Sequence, residues 1–376
     1  MLGEKIMHVP FFDLKVTDAS LRNELLKSVE AVLMHGRILL GPEVTEFEEK
    51  VAKEAGVKYA VGLSSGSSAL YLALKCLDIG PGDEVITTPL TWIITGNAIV
   101  ECGATPVFVD INDDCNIDPD AIEKAITNKT KAIIPVHFTG LMCQMDRICD
   151  IAKRNKIHVI EDAAQAYGAE YKSKKSGAFS SIGIFSMNSM KVLGGFGETG
   201  VAVTDSSDYY EKLKILRYTG TKSDPNKIIT NEAIYASLNH KIDTVQAAML
   251  LVMMKHLPDR MKRRQEIANR YNKAFSNIVT CPNFIKGDTH ALYTYVIQAE
   301  NRDELMKYLN ENGIETKIYH KPLVSDAPIF KQYIKEDVPN ARRVLSKFLS
   351  IPAHEKLSNS QIDYVIEKIT SFYQDI

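Results

Sequence analysis

Between Tyr59 and Ala164, short apolar runs alternate with longer amphipathic ones, and this alternation sets the fold class before any single residue is considered. YAVGLSS, EVITT, TPVFVDI, KAIIPV and IHVIED read as strands: each is short, rich in β-branched residues and bounded by turn formers. SSGSSALYLALKCLDIG, ITGNAIVECG, IDPDAIEKAIT and MDRICDIAKRNK lie between them with helical spacing. Parallel strands need a crossover, and helices of this length supply it. The pattern predicts an α/β domain whose largely parallel sheet is covered on both faces, with ligands beyond the carboxyl ends of the strands.

Two more short runs, IGIFSM and GVAVT, follow, which makes seven strands. They enclose one lysine, Lys191, and the glycines Gly194, Gly195, Gly197 and Gly200. Upstream, a helix is expected from Asp13 to a terminating Gly36, and a second after Gly41-Pro42. Past Asn239 the pattern turns helical, with a break expected at Pro258. ALYTYVIQA then reads as a strand, RDELMKYLNENG as a helix, IETKIYH as a strand and SQIDYVIEKITSFY as a final helix. The expected organisation is a large α/β domain over 1–255 and a smaller C-terminal α+β domain over 256–376. The basic run Lys262-Arg263-Arg264 reads as a solvated helix face, and Ile318 to Pro322 as a polar loop that could also face a site.

Composition narrows the function classes. With 376 residues, 45% of them hydrophobic, the chain can bury a large core. A net charge of −2 without a basic block argues against nucleic acid. No apolar run approaches the ~18 residues of a membrane span, and the first residues do not read as a signal peptide. None of the six cysteines is in C-x-x-C spacing and the nine histidines form no metal pattern. Reduced thiols, a cytoplasmic protein and no metal are expected.

The strand ends carry the chemistry. Ser64 to Ser68 join a strand to a helix start, where free N–H groups and the helix dipole favour a phosphate; the plain alternative is a helix cap. Asp162 ends the IHVIED strand, with Gln165 one turn later; a buried carboxylate there needs a partner. Trp92, the only tryptophan, offers either core packing or a flat face for a ring. Lys191 is either a solvated loop lysine or a desolvated amine able to form a Schiff base. A phosphate cradle, a stacking aromatic, a strand-end carboxylate and a loop lysine are together what pyridoxal phosphate requires.

With these residues in view, the sequence resembles the sugar aminotransferases of the DegT/StrS type, within the aspartate-aminotransferase fold, the type I fold of enzymes dependent on pyridoxal phosphate. The resemblance runs from about Val9 to Phe372 and rests on SSGSSAL, TWIITGNAI, IEDAAQA and FSMNSMKVLGGFGETG. It implies that Gly66, Ser67 and Ser186 hold the phosphate, Trp92 stacks on the ring, Asp162 pairs with the pyridine nitrogen and Gln165 lies near the ring hydroxyl. Lys191 would be Schiff-base partner and proton shuttle. Asn239 would reach the phosphate of a neighbouring subunit, so a homodimer with a shared site is implied, acting on a nucleotide sugar with glutamate as amino donor.

This chain departs from the family pattern in places. Lys241 stands where an arginine is usual, Met187 and Ser189 replace a phenylalanine and a proline, and the late P-L-H motif reads Pro322-Leu323-Val324. Three alternatives stay open: a sugar dehydratase of the same fold, in which histidine occupies the lysine position; an aminotransferase for a cyclitol or other keto compound; and a non-catalytic regulatory or binding protein.

Overall fold

The computed structural model describes residues 6–222, 232–285, 287–334 and 336–374. Its strands are β1 (Tyr59–Leu63), β2 (Glu84–Thr87), β3 (Thr105–Phe108), β4 (Thr130–Ile134), β5 (His158–Asp162), β6 (Glu170–Tyr171), β7 (Lys174–Lys175), β8 (Ile182–Ser186), β9 (Gly200–Thr204), β10 (Tyr295–Gln298) and β11 (Phe348–Ile351). Seven of them form one sheet in the order β1-β9-β8-β5-β4-β2-β3. Within it β9 runs antiparallel to both its neighbours, β1 and β8, and the other pairings are parallel. The expected α/β domain with a mostly parallel seven-stranded sheet is therefore present.

Consecutive strand residues point to opposite faces, and the two faces have separate cores. Val85, Ala132, Ile134, Ile184 and Ala202 face one side, with helices α3 (Gly66–Cys76), α4 (Ile94–Glu101) and α7 (Ser207–Arg217). Ile86, Ile133, Phe185, Val201 and Val203 face the other, with α2 (Pro42–Ala55), α5 (Pro119–Ala125), α6 (Met145–Asn155) and the start of α8 (Thr244–Phe275). Burial on both faces is why these strands read as continuous apolar runs.

A third core surrounds the antiparallel pair β10–β11, with α9 (Arg302–Glu311) and α11 (Asn359–Gln374) packed on it; α10 (Pro339–Lys347) leads into β11. Helix α8 is continuous through Pro258 where a break was expected. A proline removes one helix hydrogen bond, but both halves of α8 are anchored: Leu250 to Leu257 lie in the large core, Ile267 to Phe275 in the small one. The expected strand IETKIYH is not a strand. It makes single bridges at Ile314 and Lys317, then turns at His320, whose φ of 59° leaves the extended region. Helix α1 (Ala19–His35) starts later than Asp13, because Asp18 caps it by accepting from the Leu21 N–H at 2.7 Å; Gly36 closes it at φ 71° as expected. Val9, at the other end of the sequence, packs in the third core and bridges Ile314.

Candidate active site

The carboxyl ends of β1, β5 and β8 lie on one edge of the sheet, where Tyr293 from later in the chain meets Lys191. After β1, Ser65 caps α3, its Oγ accepting from the Ser68 N–H at 3.0 Å. The N–H groups of Gly66 and Ser67, ahead of that bond, remain available to an anion. Gly66 begins this helix because nothing larger fits: a Cβ there would lie 2.6 Å from Ser186 Cβ at the end of β8. A Cβ on Gly200 would lie 2.1 Å from the Ser65 carbonyl oxygen. The serine turn, Ser186 and the start of β9 thus meet at backbone distance, with Ser67 exposed in the first turn.

At the end of β5, Asp162 is buried. Its Oδ1 accepts from the Ala164 N–H at 3.1 Å, and Thr95 Oγ1 lies 3.5 Å from Oδ2. Burial pushes its carboxyl above the usual range; the Ala164 N–H and the charge of Lys191 pull it back only in part. A cationic N–H donor facing Asp162 would favour its ionised form. Glu161, one residue earlier, points to the opposite face and is saturated. It accepts from Phe179 N–H (3.0 Å) and Gly177 N–H, and pairs with buried His137 at 2.8 Å. The Cys143 N–H donates to His137 Nδ1, so the imidazole proton sits on Nε2 and points at Glu161. This pair braces the strand end. The Gln165 Oε1 accepts from the Thr139 N–H at 2.8 Å, which leaves the carboxamide nitrogen as the donor end.

Lys191 is half-buried, its backbone N–H bonded to the Asn188 carbonyl. Its Nζ lies 4.4 Å from the centroid of the Tyr293 ring. Its charge is felt at Asp162 on one side and at His320 on the other. Trp92 is 59% exposed, which removes the core-packing reading, and its ring lies 5.4 Å from that of His320. His320 also contacts Phe138 and Tyr319. Burial first, then the Lys191 charge, lowers its pKa to about 4, so the ring is neutral at pH 7.

Asn239 stands apart from this group. It is exposed, beside the exposed Leu238, and its Oδ1 accepts from the Lys241 N–H. The segment carrying it nonetheless runs along the serine turn, through a Leu63–Lys241 bridge and a 3.0 Å contact from His240 Nδ1 to Ser68 Oγ.

Tyr293, Phe138 and the His137–Glu161 brace had no local signal in the sequence. His320 had one, its place in a polar loop that could face the site. Among the described residues, no cluster of His, Cys, Asp and Glu suits a metal ion, and no helix is long and apolar enough to cross a membrane.

The arrangement offers an anion cradle, a flat aromatic face, a buried carboxyl and an amine at the carboxyl-end edge of the sheet. A family model for the DegT/DnrJ/EryC1/StrS aminotransferases matches residues 19–370. The dTDP-3-amino-3,4,6-trideoxy-alpha-D-glucose transaminase of Streptomyces venezuelae is 35% identical, over 98% of this chain and 97% of that protein. The pleiotropic regulatory protein of Geobacillus stearothermophilus is 37% identical, over 98% and 99%. The crystal structure of S. venezuelae DesV in complex with a ketimine intermediate superimposes with a TM-score of 0.93 at 34% identity, covering 98% of this chain and 99% of DesV.

Proposed function

The chain belongs to the DegT/DnrJ/EryC1/StrS aminotransferase family, and on that premise we propose that it transfers an amino group from glutamate to a keto carbon of a nucleotide-linked deoxysugar, with pyridoxal phosphate as cofactor. The observation that carries the reading is that buried Asp162, the Lys191 ammonium and the Gly66–Ser186 cradle lie at the ends of the adjacent strands β5 and β8. Sugar transaminases among the relatives support the substrate class.

The residues present fit this cofactor on two structural grounds. Asp162 is a buried carboxyl whose burial a facing cation would offset, and a Cβ at Gly66 would fill the cradle. Bound there, pyridoxal phosphate would supply an electron sink for a substrate carbon joined to it through nitrogen. The α3 N-terminus, Ser67 and Ser186 would hold the phosphate dianion, and Trp92 would cover one ring face. Asp162 would hold the proton on the ring nitrogen, while the Gln165 carboxamide nitrogen would donate to the ring oxygen. Lys191 Nζ would take the proton from the donor's α-carbon and deliver it during product formation; a base within reach of both atoms is what the proton transfer needs.

A panel of keto-sugar nucleotides supplied with glutamate tests this reading. One of them is expected to yield an amino sugar nucleotide with release of 2-oxoglutarate. Amination of a cyclitol ketone and of no sugar nucleotide would move the assignment to that alternative. The relative named as a regulatory protein keeps a second reading in play; purified protein without cofactor and without activity towards any ketone would favour it. Lys191 argues against the dehydratase branch, where histidine would stand.

The same proposal includes a homodimer that shares its active sites. Leu26, Leu33 and Met34 on α1, together with Ile38, Leu39 and Leu238, are exposed apolar side chains, and Asn239 lies on the surface beside the serine turn. A mixed dimer of Lys191→Ala with Asn239→Ala is expected to recover part of the activity that each variant lacks. One site would then combine Lys191 of one protomer with Asn239 of its partner. Heterodimers that form but stay inactive would make Asn239 structural. A division near residue 255 and a cytoplasmic location belong to this proposal too. They are supported by the separate third core and by six cysteines without a disulfide.

The cradle itself yields a prediction. Gly66→Ala is expected to weaken cofactor binding about tenfold or more, since the phosphate contacts cannot form once α3 and β8 separate. Cofactor titration followed by absorbance measures it.

A further inference from the structure

The basic run Lys262-Arg263-Arg264 is not wholly solvated. Lys262 is exposed, but Arg264 is 4% exposed. A buried guanidinium needs acceptors on every side, and those of Arg264 belong to two stretches of chain far apart in sequence. Its Nη1 donates to the Leu292 carbonyl at 2.8 Å and reaches the Tyr293 carbonyl at 3.4 Å. Its Nε donates to Glu355 Oε2 at 2.9 Å, and Nη2 lies 2.8 Å from the same oxygen. The other oxygen of Glu355 is taken by Arg260 Nε at 2.7 Å. Burial alone would raise the Glu355 carboxyl; Arg264 and Arg260 hold it down to about 2, so the cluster stays charged.

The segment gripped in this way carries the ring beneath Lys191. Leu292 has φ 54°, a left-handed conformation that leucine disfavours, so the bend needs support from outside. Gly140 provides the opposite wall: its carbonyl accepts from the Ala291 N–H at 2.9 Å, and a Cβ there would lie 2.9 Å from the Leu292 nitrogen. Between these walls Tyr293 is presented to Lys191, with ring centroid and Nζ 4.4 Å apart. Attraction between an ammonium and a ring face depends on this placement and is lost when the ring swings away.

We propose that Arg264 and Glu355 are positioning residues for Lys191, acting through the Tyr293 ring that they hold against its ammonium. The proposal rests on the reading of Lys191 as the reactive lysine.

The test is acetylation of the full, cofactor-free chain by acetic anhydride, read at Lys191 by peptide mass spectrometry. Tyr293→Leu is expected to raise the Lys191 rate about threefold or more, because the ammonium loses the face that stabilises it; Tyr293→Phe, which keeps the ring, should not. Arg264→Lys and Glu355→Gln should each raise it by a similar factor. In the Tyr293→Leu background neither should add anything, since they act through that ring. Glu355→Gln keeps the shape of the side chain and serves where Arg264→Lys does not fold. An unchanged Lys191 rate in Glu355→Gln overturns the proposal. So do equal increments in the Tyr293→Leu background, or a rise shared by all lysines, which reports general loosening. Whether Lys191 bonds the cofactor is read separately, by borohydride fixation in the wild-type protein, so the two claims fail independently.

Discussion

Lys191→Ala is expected to abolish turnover while leaving the fold and cofactor uptake in place. The loop is held by its backbone: Lys191 N–H to Asn188, Gly195 N–H to Met187 and Met187 N–H to Thr199. The half-buried side chain contributes little to that scaffold, so the melting temperature should shift by a few degrees at most. On the proposed mechanism the variant loses the base that moves the proton, and such a group is worth about 10²–10⁴ in rate. Wild-type protein should be yellow as purified, and borohydride should attach the cofactor to the peptide containing Lys191. Recovery of the label on a different lysine would remove Lys191 from its role.

Asp162→Asn is expected to lower the amination rate by about 10²-fold or more with the fold intact. An asparagine can still accept from the Ala164 N–H through its carbonyl oxygen, so the strand end keeps its cap. It carries no charge, and so cannot keep a ring nitrogen protonated. Near-normal turnover would take Asp162 out of the mechanism.

The cofactor-free protein should show the opposite sign in stability. Burial raises the Asp162 carboxyl above its unfolded value, against the pull of the Ala164 N–H, Lys191 and His137. A carboxyl shifted upward binds its proton more tightly when folded. Its ionisation therefore costs stability above the folded pKa, and the cost vanishes once pH falls below the unfolded value of about 3.9. At pH 7 the cofactor-free Asp162→Asn chain should melt higher than wild type, with the gap closing towards pH 4. Thermal melts at the two pH values measure this. A variant less stable at both would mean that other contacts of Asp162 dominate.

Much of the site was legible because the topology of a parallel sheet does the gathering. Strands that run the same way bring their carboxyl ends to one edge, so the serine turn after β1 and Asp162 after β5 lie on the same edge of the sheet, with β9 and β8 between their strands. Lys191 and the glycines follow β8, the neighbour of β5. Residues that are local to a strand end could therefore be read from position alone. Boundaries were less secure. The helix expected from Asp13 starts at Ala19, since the nearer aspartate, Asp18, makes the cap. Pro258 left α8 unbroken because tertiary packing holds both halves.

By itself, the sequence determined the layered α/β architecture and the seven strands, and it put forward Asp162, Lys191 and the Gly66 turn as the site residues to test. Periodicity and turn chemistry are short-range properties, and these features lie within short stretches of chain. Only the tertiary structure decided what surrounds them. Tyr293 and His320 arrive at Lys191 from more than a hundred positions further along the chain. Arg264 shows the limit most clearly. It shares the buried face of α8 with Ile267 and Tyr271, a spacing that hints at burial. Its partners, Leu292, Tyr293 and Glu355, are up to 91 residues away. No local pattern encodes such a pairing, because the desolvation that makes a buried charge depend on its partners exists only once the core has closed.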